Sequence, residues 1–422
     1  MTPTVLAGVA IFVATYVLIA TERIHKTIAA MAGGVAMVLL GIVSQERAFE
    51  EIDFNVIFLL AGMMILASII RKTGVFGWMA VRAARLAGGD PYRILVILSV
   101  ITAVASAFLD NVTTVVLVGP ITLYLAARMG LSPLPFIVSE ILASNIGGAS
   151  TLIGDPPNIL IGSAAGLGFA EFIVHMAPLS VILLILYLIV ARWLFGEQLV
   201  IDAEQRDSLL ALDERRMISD PGLLRRSLFV LGLTLVGFVL HGVLHLEPAT
   251  VALTGAIVLM IVAREDPHEV LREVEWPTLF FFIGLFMLVA GVIEIGLIVA
   301  VAEAIQAITG GALAPTALLV MWASAVLSGV IDNIPYTATM IPVVAQLSAG
   351  QDSDVLWWGL AIGADLGGNA TIIGASANVI LASMAEREGH RITFGTFLRY
   401  GLPVTIGSML IATVYVWVRY LL

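Results

Sequence analysis

The chain carries two copies of one polar pattern, about 220 residues apart, inside strongly apolar sequence. The first copy reads FLDNVTTVVLVGP around Asp110, followed by SNIGGASTLIGDPPN from Ser144 to Asn158. The second copy reads GVIDNIPYTATMIP around Asp332, followed by ADLGGNATIIGASAN from Ala364 to Asn378. Polar tips and Gly pairs that recur in this way are typical of membrane carriers built from two structural repeats. The duplication therefore predicts a secondary transporter fold.

Composition supports a membrane location and excludes several other classes. Hydrophobic residues make up 60% of the chain and charged residues only 12%, whereas soluble domains average about 25% charged residues. The absence of cysteine rules out disulfides and thiolate metal sites. None of the six histidines lies in a span motif, and no HExxH, GxSxG or phosphate-loop pattern occurs. We therefore expect neither an enzyme nor a nucleic-acid-binding protein.

Apolar segments of roughly 20 residues, the length that crosses a bilayer, alternate with short polar tips. Two apolar arms close around Asp110-Asn111 and two around Asp332-Asn333, which predicts re-entrant hairpins. The expected fold is an all-α polytopic membrane protein with two inverted repeats, each with a re-entrant hairpin and a broken transmembrane helix. Its predicted parts are N-terminal scaffold helices (1–50), repeat 1 (51–195, hairpin 92–128, broken helix 134–162), a cytoplasmic linker (196–226), scaffold helices (227–272) and repeat 2 (273–422, hairpin 313–348, broken helix 355–385).

Spacing and charge predict that the repeats are inverted. The separation from Asp53 to Asp110 is 57 residues, and the separation from Glu275 to Asp332 is also 57. If the N-terminus lies outside, 19 of the 21 basic residues fall in cytoplasmic segments, with only Arg47 and Arg419 outside. We therefore expect a multi-pass protein of the cell inner membrane with its N-terminus outside. The first 20 residues then form a spanning helix rather than a signal peptide.

The tips and breaks supply the candidate binding groups. Unwound helices offer half-helix N-termini to anions, while freed carbonyls and Asn, Ser and Thr oxygens coordinate cations. Close helix packing is the alternative explanation for the Gly pairs. The predicted substrate- or ion-binding residues are Asp110, Asn111, Thr113, Thr114, Asn145, Gly147, Gly148, Ser150 and Thr151 in the first repeat, and Asp332, Asn333, Thr337, Gly367, Gly368, Asn369 and Thr371 in the second.

Five carboxylates are candidates for proton coupling, because ionisable groups inside a membrane are costly and usually functional. Asp110 and Asp332 recur in both repeats, although each could also cap the second arm of its hairpin. For these two, capping and a direct role in binding are compatible.

The other three candidates occur in one repeat only. Asp155 is matched by Ala375, and Asp365 is matched by Asn145. Glu140 lies five residues before Asn145 on the same apolar helix. This asymmetry suits a coupling site that exists once, but it suits a purely local structural role equally well.

The tips and the stretch NIGGASTLIGDPPN from Asn145 to Asn158 resemble the ion transporter superfamily. Within it, the similar branch contains bacterial arsenite-efflux permeases and the melanosomal P protein. The resemblance implies a scaffold domain, a moving transport domain and elevator-type alternating access. It also brings a homodimer and a cytoplasmic ATPase into consideration as protein partners, beside the lipid bilayer.

The same resemblance bears on the substrate. Sodium/dicarboxylate symporters of the superfamily carry Ser-Asn-Thr at their tips, whereas both tips here are Asp-Asn, which argues against that activity. Arsenite permeases lack the full GDPPN sequence of Gly154 to Asn158, so the substrate stays open.

Our main hypothesis is proton-coupled efflux of arsenite or antimonite, because arsenite at neutral pH is an uncharged trihydroxide and no Lys or Arg lies in either motif. The alternatives are a sodium/proton antiporter of the same fold and an anion or dicarboxylate transporter. We expect no cofactor and no bound metal, only protons, or alternatively sodium, as coupling ions.

Overall fold

The computed structural model describes residues 2–21, 23–351 and 353–422, and within these ranges the protein contains helices and no strand. Aspartates begin many of the helices: Asp53, Asp90, Asp220 and Asp266 each accept hydrogen bonds from backbone N–H groups in the following turn. These caps satisfy donors that a helix start leaves free.

The first half of the chain extends to residue 195. Its helices are α1 (Pro3–Thr21), α2 (Lys26–Leu39), α3 (Gln45–Glu50), α4 (Phe54–Lys72), α5 (Val75–Leu86), α6 (Pro91–Leu109), α7 (Asn111–Arg128), α8 (Leu134–Gly148), α9 (Pro156–Ala165), α10 (Phe169–His175) and α11 (Ala177–Phe195).

A polar connection with one helix, α12 (Ala203–Leu210), leads to the second half. The following helices are α13 (Pro221–Leu244), α14 (Pro248–Ala263), α15 (Pro267–Arg272), α16 (Trp276–Glu294), α17 (Leu297–Thr309), α18 (Leu313–Ser328), α19 (Asn333–Ser348), α20 (Val355–Gly367), α21 (Ser376–Arg387) and α22 (Phe394–Val416).

The two halves repeat helix by helix. The starts of α2 and α14, of α4 and α16, and of α7 and α19 are each 222 residues apart (26 and 248, 54 and 276, 111 and 333). The correspondence also takes in α1–α3 and α13–α15, which the sequence interpretation left outside the repeats. The connection ends at residue 220, so the last six residues of the predicted linker belong to α13.

Contacts between the halves establish the inversion. Helices α2 and α16 run parallel, because Thr27 donates to the Pro277 carbonyl near both starts (2.7 Å) and Gly291 lies against Met37 near both ends. Helices α4 and α14 are also parallel, since Asn55 meets Ala249 near their starts (3.0 Å) and Lys72 meets Glu265 at their ends (2.5 Å). The short turn through α3 makes α2 and α4 antiparallel. Helix α14 therefore runs opposite to its counterpart α2, which confirms two inverted repeats.

The chain is a multi-pass membrane protein. Eight helices of the described residues are long and apolar enough to cross a bilayer: α1, α4, α6, α7, α11 with its short extension, α13, α16 and α22 with its extension. Helices α9 and α10 form a bent pair with an angle of 114°. Large apolar side chains such as Phe229 and Val243 on α13 are exposed, as expected for a helix that faces lipid.

Each repeat also contains a hairpin and a broken helix. Asp110 alone separates α6 from α7, and residues 329–332 separate α18 from α19. Residues 149–155 lie between α8 and α9, and residues 368–375 lie between α20 and α21. Both breaks are almost entirely buried, so their backbone groups depend on partners within the protein.

Glycine allows α2 and α16 to approach closely. A methyl group added at Gly34 would lie 2.7 Å from the Gly284 carbonyl oxygen, and one added at Gly284 would lie 2.5 Å from the Met31 backbone nitrogen. At the matching position of the first repeat, Gly62 meets Ala252 of α14 in the same way. Small residues thus let α2 pack closely against α16 and α4 against α14, as they do in other membrane helix pairs.

We predict that Gly284→Leu separates α2 from α16 and destabilises the protein by ~3 kcal/mol, because an added side chain in a filled contact causes overpacking. Thermal unfolding of the detergent-solubilised protein measures the effect. The matched control is Gly232→Leu on α13, where an added Cβ meets nothing within 4 Å. Equal unfolding temperatures for the two variants would contradict this account of the contact.

Candidate functional site

The first hairpin tip is held by Asp110. Its carboxylate accepts hydrogen bonds from the backbone N–H and the hydroxyl of Thr113, both at 2.7 Å, and so caps α7. Asp110 has a φ of +87°, a backbone region that non-glycine residues rarely occupy. Strain of this kind, about 1–3 kcal/mol, persists only where surrounding contacts enforce it. The tip is therefore fixed by side-chain contacts.

The second tip has a different environment. The Asp332 carboxylate accepts from the Ile334 backbone (3.1 Å), from the Ser376 hydroxyl (2.6 Å) and from the Lys26 ammonium group (3.1 Å). Lys26 begins α2 and also donates to Ser376 at 2.5 Å. Among the described residues, it is the one cation that pairs with either tip. The two tips are thus alike in sequence but unequal in charge.

Both tips line one cavity of about 590 Å³. Its wall includes the first residues of α9 and α21, Pro156 and Ser376, together with Lys26 and Glu275. The starts of α7, α9, α19 and α21 therefore converge here, and each presents the positive end of a helix dipole. Three of these four starts carry an aspartate at the cap position.

Next to the cavity, Asp155 joins the two repeats. Its carboxylate accepts from the Asn111 side chain at 2.6 Å and from the Asn333 side chain at 3.3 Å. Asp155 has no exposed surface, and both asparagines are 2% exposed. One carboxylate at the start of α9 is thus held by the amides of both hairpins.

Asn145 joins the two broken helices. Its amide nitrogen donates to Asn369 at 2.9 Å and to Asn378 at 3.0 Å, and its oxygen accepts from Asn111 at 3.3 Å. Together with the contacts of Asp155, these bonds form one buried set of side chains, here named the central network: Asn111, Asn145, Asp155, Asn333, Asn369 and Asn378.

The two breaks are closed in the same way. The side-chain nitrogen of Asn158 donates to the carbonyls of Gly148 (3.4 Å) and Thr151 (3.0 Å). The side-chain nitrogen of Asn378 donates to the carbonyls of Gly368 (2.7 Å) and Thr371 (2.9 Å). Each asparagine thereby satisfies two carbonyls that the helix ends leave free.

The predicted threonines and serine make local contacts. The Thr151 hydroxyl donates to the Ala107 carbonyl on α6 at 2.5 Å, and the Thr371 hydroxyl donates to the Gly329 carbonyl after α18 at 2.6 Å. The Ser150 hydroxyl donates to the Gly147 carbonyl at 2.5 Å. Thr151 and Thr371 thus hold the breaks against the hairpins, Ser150 bonds within its own break, and none of the three lines the cavity.

The four predicted glycines lie at close backbone contacts. Gly147 meets the backbone of Ala103 on α6, and Gly367 meets the backbone of Ala325 on α18, with no room for a Cβ. Gly148 and Gly368 lie against Gly154 and Gly374 within their own breaks. In this structure the Gly pairs therefore allow close helix packing, which was the alternative explanation for them.

Several fully buried polar atoms near the central network lack a hydrogen-bond partner among the described residues. Such atoms are few in native proteins and usually indicate a function or a bound group. They are Asn111 Oδ1, Thr114 Oγ1, Asn158 Oδ1, Thr337 Oγ1, both carboxylate oxygens of Asp365, and Asn369 Nδ2.

The remaining acidic candidates are also buried. Asp365 has no exposed surface and lies within electrostatic range of Asp155. Glu140 bonds through one oxygen to the Thr122 hydroxyl on α7, and its other oxygen is unpartnered. Neither Asp155, Asp365 nor Glu140 forms a salt bridge within the described chain. Two neighbouring buried carboxylates do not both remain charged without a compensating cation.

Sequence reasoning missed Lys26 as a site residue, because it was counted only among the cytoplasmic charges. The sequence signal was a lysine at the start of the apolar helix α2, where the corresponding helix α14 begins with Pro248. No three His, Asp or Glu side chains of the described chain are gathered in a way that could hold a metal ion.

The chain is similar to several known proteins. An uncharacterized transporter of Mycobacterium tuberculosis (strain ATCC 25618 / H37Rv) is 47% identical over 421 residues, which cover 98% of each chain. The P protein of Homo sapiens is 35% identical over 497 residues and aligns with 97% of this chain, which spans 59% of that protein.

A solved structure and a family match agree with these relatives. The Alcanivorax borkumensis YdaH transporter superposes with a TM-score of 0.62 over 99% of this chain and 98% of that one, at 15% identity, which shows a shared fold. The family described as "CitMHS: Citrate transporter" matches residues 16–363. The chain therefore belongs to the citrate transporter family of the ion transporter superfamily and is a membrane transporter, not an enzyme.

Proposed function

We propose that this transporter exports arsenite or antimonite in exchange for protons. The observation that carries the proposal is that the cavity between the hairpin tips has no net positive charge with which to hold an anion. Four helix starts contribute roughly half a positive charge each, and Lys26 adds one more. Asp110, Asp155 and Asp332 offset these charges at the same ends, and Glu275 adds a further negative charge.

A neutral trihydroxide suits such a cavity better than the other solutes considered. It needs hydrogen-bond donors and acceptors, which the tips and helix starts supply. Citrate carries several negative charges. Among the described lysines and arginines, only Lys26 lines the cavity, and it is already paired with Asp332. The family description therefore supports transport of a small solute, while the charges of the cavity favour an uncharged one.

We further propose that transport proceeds by an elevator movement of one body against another. The central network links α7, α8, α19 and α21 with the two helix breaks by buried hydrogen bonds, which suits a unit that moves as a whole. The scaffold would be α1, α2, α4, α13, α14 and α16. The polar contacts of the scaffold with the moving unit include Lys26 with Asp332 and Tyr16 with the Pro335 carbonyl (2.5 Å).

Orientation in the cell inner membrane follows the distribution of charge. Lys72 pairs with Glu265, Arg71 with Glu273, and Arg82 with Glu214 of the connection. These pairs lie at the end that the positive-inside rule assigns to the cytoplasm, which leaves the N-terminus outside. The homodimer and the cytoplasmic ATPase stay predictions.

The chain should accumulate arsenite in everted membrane vesicles when their interior is acidic, because protons leaving the vesicle would drive solute inward. Radiolabelled or mass-detected arsenite uptake measures this. Uptake should be insensitive to excess citrate and to sodium. Uptake of citrate in place of arsenite, or sodium-dependent proton movement without arsenite uptake, would refute the substrate assignment.

Asp110→Asn and Asp332→Asn should each lower arsenite efflux by about tenfold or more, because a hydrogen bond to a charged group is worth about 1.5–3 kcal/mol. Both variants should still insert and fold, since Asn also caps helices. Efflux from cells and gel filtration of the purified protein measure the two properties. Asp90→Asn is the matched control, an exposed cap of α6 on the same hairpin. Normal efflux by both tip variants would exclude a role for the tips.

Because the chain contains no cysteine, single cysteines can test its orientation directly. An impermeant maleimide should label Glu46→Cys, between α2 and α4, in intact cells. It should label Ala203→Cys, in the connection before α13, only after permeabilisation. Both side chains are exposed. The reverse labelling pattern would place the N-terminus in the cytoplasm.

A further inference from the structure

Both repeats close their break with an asparagine, but the residue beside that asparagine is an amide in one case and a carboxylate in the other. Asn158 and Asn378 both direct their side-chain nitrogens to two carbonyls of their own break. Since the nitrogen must face those carbonyls, the side-chain oxygen of each asparagine points away from its break. Each oxygen therefore needs a donor from elsewhere in the buried core.

For Asn378 the donor is present. Asn145, thirteen residues before Asn158 in the first repeat, donates to the Asn378 oxygen at 3.0 Å. The position thirteen residues before Asn378 in the second repeat is Asp365, and its side chain lies beside Asn158. An ionised carboxylate only accepts hydrogen bonds. Where one repeat has the Asn145 donor, the other has a carboxylate, and the Asn158 nitrogen beside it is already bonded to two carbonyls of its own break.

The atoms involved are fully buried and unsatisfied. Asp365 and Asn158 have no exposed surface, and among the described residues neither the Asn158 oxygen nor either oxygen of Asp365 has a hydrogen-bond partner. A proton on Asp365 would turn its carboxyl group into a donor. It would then give Asn158 the same bond that Asn145 gives Asn378.

We propose that Asp365 is the exchangeable proton site of the transporter, and that its proton is donated to Oδ1 of Asn158 when bound. The inference deepens the proton exchange proposed above and rests on it for its role in transport. Proton binding forms the O–H bond on Asp365, and release returns the proton to water and leaves the carboxylate. The charge of the site thus changes by one unit in each cycle, as a proton exchanger requires.

The groups around α20 leave one charge that acts on Asp365. Helix α9 brings Asp155, which two amides hold as an acceptor. On α8, Glu140 is bonded to Thr122. On α19, Tyr336 pairs with the Ser324 hydroxyl of α18.

Among the described residues, the other elements against α20 add no partner for Asp365, since His175 of α10 stacks on Trp358 near the start of that helix. Asp332, which precedes α19, is bound by Lys26. On α22, Arg399 is exposed and Tyr400 packs against Phe195. Release of the Asp365 proton would therefore leave two carboxylates, Asp155 and Asp365, in one buried site.

The test is Asp365→Asn, which installs the neutral donor that the first repeat already has at Asn145. The variant should fold, exchange solute downhill at a normal rate, and lose uphill accumulation under a pH gradient by at least tenfold. Reconstituted proteoliposomes measure both fluxes. Asp354→Asn, an exposed residue at the start of the same helix, is the matched control and should behave like the wild type.

A second readout does not depend on the solute. Difference infrared spectroscopy of the reconstituted protein should show the carbonyl band of a buried protonated carboxyl group in the wild type and in Asp354→Asn. The band should be absent from Asp365→Asn. If arsenite is not carried but the band is lost, the substrate assignment fails while the proton site stands.

The proposal is overturned if the band persists in Asp365→Asn, or if that variant still concentrates a transported solute at the wild-type rate. It is also overturned if sodium, rather than acid pH, stabilises the wild type against thermal unfolding and loses this effect in Asp365→Asn. That result would make Asp365 a sodium ligand.

Discussion

A broken helix inside a membrane must satisfy its free backbone groups within the protein, and the rest of this structure depends on how that is done. Asn158 and Asn378 close the two breaks with their side-chain nitrogens. The Asn378 oxygen then accepts from Asn145 of the other repeat, whereas the Asn158 oxygen has no partner among the described residues. The need for backbone partners thus draws the two halves together around one buried centre.

Inverted symmetry explains the shape of that centre, and departures from symmetry explain its chemistry. Asp155 and Asp365 each stand where the other repeat has a neutral residue, and Lys26 stands opposite Pro248. A fully symmetric site would present equal charge to both sides of the membrane. Among the described residues, the unequal positions place Asp155 and Asp365 together and leave one ion pair between scaffold and hairpin, Lys26 with Asp332, which suits one coupled exchange for each cycle.

Much of the architecture was predictable because its signals are local in sequence. The equal spacing from Asp53 to Asp110 and from Glu275 to Asp332 predicted the repeats, and charge sidedness predicted their inversion. The pairing of Lys26 with Asp332 was not predictable, since it joins residues 306 positions apart through a tertiary contact. The same holds for the contact of Asn145 with Asn378. The inclusion of α1–α3 in the repeat was missed because those helices share packing geometry rather than a polar motif.

An electrical measurement distinguishes proton exchange from sodium exchange most directly. Exchange of a proton for an uncharged solute moves net charge, whereas exchange of one sodium ion for one proton does not. In proteoliposomes whose potential is set by a potassium gradient and valinomycin, an interior-positive potential should drive arsenite accumulation without any pH or sodium gradient. Arsenite accumulation that follows the pH gradient but ignores the imposed potential would contradict the account.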